Sequence, residues 1–224
     1  VSPSPRKTRR LSSLLAILSL TACASGSGEP RPQSGAGPSA AHASPKPGPS
    51  AAPIPAEAPP IGRLPSDVRP TRYGLTLAIA PEKERFSGSV EIGIELSRPR
   101  DVLWLHGRGF EVERAAVEVD GKAIQGTWEE VHPNGLAAIR LERPVGPGKA
   151  TIKIVYSAAF ETGMVGLYRV ERGGAFYAFT HFEPVRARQA FPAFDEPAFK
   201  APFDVTLIVP KDSKAIANSR EIAR

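Results

Sequence analysis

The chain has 224 residues, enough for one large domain or two small ones. Its formal net charge is +6, but Arg6, Lys7, Arg9 and Arg10 put four positive charges into the first 22 residues with no acid among them, so the remainder carries 6 − 4 = +2. That removes the main compositional support for nucleic-acid binding, and a single cysteine, Cys23, excludes an internal disulfide.

Residues 1–22 read as an export signal: a basic front, then an apolar run from Leu11 to Leu20. The run is well short of the roughly 20 apolar residues needed to span a bilayer. Leu20-Thr21-Ala22-Cys23 resembles the lipobox of bacterial lipoproteins. The resemblance implies cleavage before Cys23, lipidation of its thiol and attachment to a membrane; ordinary secretion is the alternative, since Ala22-Cys23-Ala24 also suits a signal peptidase. Residues 24–62 then read as a linker, because 31 of these 39 positions are Pro, Ala, Gly or Ser. Such a segment cannot bury enough apolar surface to offset its ordering entropy. The divisions are therefore 1–22, 23–62 and a domain over 63–224.

From Leu64 the pattern is that of strands. Tyr73, Leu75, Leu77 and Ile79 alternate, as do Phe86 through Leu96, which is the two-residue period of half-buried strands. A short strand surrounds Trp104. Val117-Glu118-Val119 runs into the Asp120-Gly121 turn, and Asn134-Gly135 and Gly146-Pro147-Gly148 precede further alternating stretches. Strands spaced by turns, with almost no helical periodicity, predict an all-β domain, an antiparallel sandwich or a curved, saddle-like sheet. Farther on, Gly166-Leu167-Tyr168-Arg169 and Phe176-Tyr177-Ala178-Phe179 flank a Gly173-Gly174 turn, and the aromatic run suits a buried strand. It leads to Glu183-Pro184. Proline favours the first helical position, so Val185 to Phe191 is expected to be a short helix whose positive end holds Glu183 ionised. Phe203 to Val209 is a final strand.

This order of residues resembles the N-terminal domain of the aminopeptidase N family of zinc metallopeptidases. The likeness rests on Gly166 to Arg169, Thr180, Glu183, Ala187-Arg188, Phe191-Pro192, Phe194 to Pro197, Lys200-Ala201, Phe203 and Val209-Pro210. Many fixed positions in one order are far more specific than one short motif. His181 departs from the pattern, standing where the family usually has glutamine. The resemblance implies that Glu183 binds the free α-ammonium of a peptide substrate, with His181 in the same subsite. It also implies that the complete enzyme carries zinc in a catalytic domain downstream. The H-E-x-x-H and G-x-M-E-N motifs that would supply that site do not occur in this sequence, so the chain by itself is expected to be inactive.

The residues alone leave other readings open. Glu183 could merely pair with Arg186 or Arg188. His42, His106, His132 and His181 show no spacing that favours metal ligation; His132 sits just before the Pro133-Asn134-Gly135 turn, and His106, which follows a strand, reads as a surface or edge residue. Arg188 and Asp195 flank the Phe191-Pro192 break and are expected to form an ion pair that pins the turn. A non-catalytic exported peptide-binding module and a plain scaffold are the alternatives to an enzyme domain.

Overall fold

The computed structural model describes residues 57–223; the expected leader, Cys23, His42 and most of the linker lie outside them. Ten strands follow in order: β1 Val68–Ala78, β2 Arg85–Leu96, β3 Arg100–His106, β4 Phe110–Val119, β5 Lys122–His132, β6 Leu136–Val145, β7 Gly148–Ala159, β8 Gly166–Arg172, β9 Ala175–His181 and β10 Phe203–Ile208. Eight of them form one sheet in the order β10-β1-β2-β7-β4-β5-β6-β3, and β8 and β9 form a separate two-stranded ribbon. The all-β expectation holds in its curved-sheet form. One pair departs from the antiparallel pattern: β10 runs parallel to β1, with Tyr73 opposite Phe203.

Alternation in sequence becomes a core because one face of the large sheet is covered. Val90, Ile92, Ile94 and Leu96 of β2 and Ala150, Ile152, Ile154, Tyr156 and Ala158 of β7 are all buried. The 117–119 strand is the end of a longer one. A bulge between Val112 and Arg114 disturbs the register of β4 on β7, so the period-two signal fails over its first half. Strand β5 gave no clear signal, since it is mostly half-exposed or exposed. The Asp120-Gly121 turn has positive φ at both residues, 50° and 73°, as a tight two-residue hairpin requires.

The curl of the sheet can be argued from three contacts. In a flat sheet β1 and β3, six steps apart, would be separated by about 29 Å at roughly 4.8 Å per step. Yet Ala193 bridges to His106 at the end of β3, and the N–H of the adjacent Phe194 donates to the hydroxyl of Tyr73 on β1 at 3.0 Å. From β7 the Tyr156 hydroxyl donates to the Ala190 carbonyl at 2.8 Å. The segment between β9 and β10 therefore lies in the hollow of the sheet. Burial pushes the Tyr73 phenol up to about 12 and the Tyr156 phenol upward as well, so both keep their protons.

Candidate functional site

The ribbon begins at Gly166, which has φ +65°, and turns at Gly173-Gly174, with φ of 62° and 79°. Its register places Tyr168 opposite Phe179 and Val170 opposite Tyr177 on one face, and Leu167 opposite Thr180 and Arg169 opposite Ala178 on the other. The second face is held to the domain. Leu167 is buried, Arg169 donates to the Lys83 carbonyl at 2.7 Å, and its guanidinium lies over the Phe176 ring at 5.0 Å. The first face is open: Tyr177 and Phe179 are each 49% exposed, and Val170 is exposed too. The expectation of a buried aromatic strand is thus corrected. The run is a strand, but a two-stranded ribbon has only one face to lay on the domain.

His181 ends β9, and its Nδ1 lies 3.1 Å from the Met164 carbonyl oxygen. Phe182 turns the other way and meets Phe191 edge-on at 5.8 Å. Glu183 follows, exposed, and makes no hydrogen bond or ion pair with any described residue. The two arginines that might have taken it are engaged elsewhere. Arg186 donates to the Gln189 side chain at 3.3 Å, and Arg188 pairs with Asp195 at 2.8 Å.

The expected helix over Val185–Phe191 is not formed; this segment holds a single 3₁₀ turn, Ala187–Gln189, and the Glu183–Pro184 peptide is cis. No helix end faces Glu183 among the described residues, so no helix dipole acts on its charge. The reason lies in packing. Arg188, Gln189, Ala190, Phe191 and Phe194 are all buried in the hollow of the sheet, and outside groups such as Tyr156 satisfy the backbone there. An isolated helix this short has little to offset the cost of its first turn.

Beneath Glu183 the segment is clamped. Arg188, itself buried, donates through Nε to the Asp195 carboxylate, through Nη2 to the Asp195 carbonyl at 2.9 Å and through Nη1 to the Asn134 carbonyl at 3.0 Å. Gly135 makes room for it: a Cβ there would come within 2.8 Å of the Arg188 Cδ, and its φ is +89°. His106 is in β3, an edge strand of the sheet, but it is buried rather than at the surface. The 187–195 segment covers it, bonding in both directions between His106 and Ala193 at 2.7 and 2.9 Å. Its Nδ1 has no hydrogen-bond partner among the described residues. Burial, aided by the Arg188 charge and opposed by Asp195, lowers its pKa to about 4.

His132 ends β5, just before the 133–135 turn, its Nδ1 accepting from the Asn134 N–H at 3.1 Å. Among the described residues no three His, Cys, Asp or Glu side chains could hold a metal ion. The donor set for a zinc ion is not met here. What the arrangement offers is one open carboxylate and one imidazole at the end of a ribbon, beside an apolar face and above a rigid clamp. The open face was the feature sequence reasoning missed. Its signal was present, in large apolar residues at Tyr168, Val170, Tyr177 and Phe179 that pair across a hairpin too narrow to bury both sides.

Residues 69–224 match the Peptidase M1 N-terminal domain. Aminopeptidase M1-A of Oryza sativa subsp. japonica is 33% identical over 168 residues, which are 70% of this chain and 19% of that protein. Glutamyl aminopeptidase of Bos taurus is 31% identical over 167 residues, 70% of this chain and 18% of its own length. Puromycin-sensitive aminopeptidase of Caenorhabditis elegans is 29% identical over 178 residues, 75% of this chain and 19% of its own. The chain thus spans about a fifth of the length of these relatives.

Proposed function

The chain belongs to the Peptidase M1 N-terminal domain family, and from that premise we propose that it is the substrate-anchoring part of a zinc aminopeptidase that releases residues from the free N-termini of peptides. The observation that carries the reading is Glu183, an exposed carboxylate without a partner among the described residues, at the end of a ribbon fixed to a rigid sheet. An exopeptidase must tell a chain end from an internal peptide bond, and the end differs by one positive charge. A carboxylate facing that charge makes a strong charge-assisted hydrogen bond and sets which bond lies over the reacting centre. The Arg188–Asp195 clamp supports this work by fixing the segment from which Glu183 projects. Bond cleavage belongs to a catalytic domain and a zinc site outside these residues.

In the complete enzyme, Glu183→Ala is expected to lower kcat/KM for an aminoacyl-anilide by about a hundredfold or more, as loss of one partner of a charge pair does. Its folding should be unchanged. Equal turnover in the variant rules out the amine-anchor role. The isolated chain, with or without added zinc, is expected to release no anilide, and zinc-dependent release would place a metal site within it. The export reading remains part of the proposal: an acyl chain on Cys23 would tether the domain to a membrane through the Pro/Ala-rich linker. Labelled palmitate should enter the wild-type protein and not Cys23→Ser.

A further inference from the structure

We propose that a cavity between β4 and β5 binds a free amino acid with an apolar side chain, in its zwitterionic form. The inference goes beyond the reading of Glu183 and does not depend on it.

The cavity arises from strand pairing. Strands β4 and β5 are paired only over residues 115–119 and 122–126. Beyond that point β4 continues on β7 alone, and β5 on β6 alone. The two strands therefore part, and each keeps an edge with no neighbouring strand. Farther along, the Gly109 N–H donates to the Glu130 carboxylate at 3.0 Å and ties the two sides together. Between them lies a cavity of about 440 Å³, a size that suits a small molecule.

One wall is aromatic. The Phe110 and Trp128 rings border the cavity and lie 6.3 Å apart, tilted by 57°. Phe110 rests on Tyr156 at 4.8 Å. A Cβ on Gly107 would come within 2.6 Å of the Trp128 ring, so the indole packs against bare backbone. Both rings are half-buried, which leaves part of each surface for a guest.

The rim carries both signs of charge. Adjacent residues of a regular strand face opposite sides. The bulge between Val112 and Arg114 breaks that alternation, and Glu113 and Arg114 both border the cavity. Both are exposed, and neither makes an ion pair or side-chain hydrogen bond with a described residue. A carboxylate alone would suit a cation, and a guanidinium alone an anion. Unpaired, side by side and next to an apolar wall, they suit one molecule that carries an ammonium, a carboxylate and an apolar side chain. Glu113 accepts from the α-ammonium, Arg114 donates to the α-carboxylate, and the side chain covers the rings. In the proposed reaction the released residue is a molecule of this kind.

Nuclear magnetic resonance on the chain tests the proposal with L-leucine. The Trp128 indole N–H and the amides of residues 110–115 should shift and saturate, while the indole of buried Trp104 stays in place. N-acetyl-L-leucine lacks the cation and L-leucinamide lacks the anion, so each should bind about tenfold or more weakly. Glu113→Gln should erase the preference for leucine over its acetyl form, and Arg114→Gln the preference over the amide. Both side chains are exposed and unpaired, so these variants keep the fold, and comparing the three molecules on the unaltered chain needs no variant. Shifts that do not saturate, or equal binding of all three molecules, overturn the proposal. So does leucine binding that is unchanged in both variants.

Discussion

The large sheet and the β8–β9 ribbon carry the same period-two pattern and put it to opposite uses. In β2 from Val90 to Leu96 and in β7 from Ala150 to Ala158 every second residue is sealed in the core. In the ribbon, Leu167 alone among the large apolar side chains is fully buried, while Tyr177 and Phe179 are half in water. Alternation thus shows that a strand has two faces. How many neighbouring strands share the burden decides whether the apolar face is a core or an exposed surface. Here the exposed one leads directly to Glu183.

Substitutions can break that contrast. Ile152→Ala removes a wholly buried side chain from the middle of the sheet and is expected to destabilise the chain by about 2–5 kcal/mol. Arg188→Ala strands the Asp195 carboxylate in the hollow and should cost about 3 kcal/mol or more. Urea unfolding followed by circular dichroism measures both. A cost below about 1 kcal/mol for Arg188→Ala would mean the clamp does not hold the segment under Glu183.

Acid sharpens the contrast next. An unfolded histidine binds its proton near pH 6.5, whereas folded His106 does so only near 4. Between those values the unfolded chain holds the extra proton. The stabilisation is present above about pH 6.5 and is lost as pH falls towards 4, in total roughly 3 kcal/mol. His106→Gln should remove that slope from the unfolding midpoint measured against pH. Smallest of all, Tyr177→Ser and Phe179→Ser are expected to move stability by no more than about 0.5 kcal/mol. Both should reduce binding of a hydrophobic dye to the folded chain. A large loss of stability from either would show that the ribbon face is packed after all.

The positions of most strands were legible because Leu75, Ile92 and Ile154 repeat at the spacing the pleat demands, and because Asp120-Gly121 and Asn134-Gly135 mark turns chemically. The first half of β4 was not, since a bulge interrupts its period. The Val185–Phe191 segment misled for a different reason. Its residues allow a helix, but Tyr156 and Arg108, both distant in sequence, provide partners that draw it into another shape. Glu183 could be located by pattern. That Arg186 and Arg188 both look away from it is visible only in the folded chain.

The start of β3 bears on where this domain can be cut. Arg100 is 3% exposed, and its guanidinium is gripped by Asp67, at 2.6 and 2.8 Å, and by Glu57. Both carboxylates lie upstream of residue 69, where the family match begins. A recombinant fragment trimmed to that boundary would keep the cation and discard both counter-ions. For anyone expressing the domain, Glu57 is the latest safe first residue.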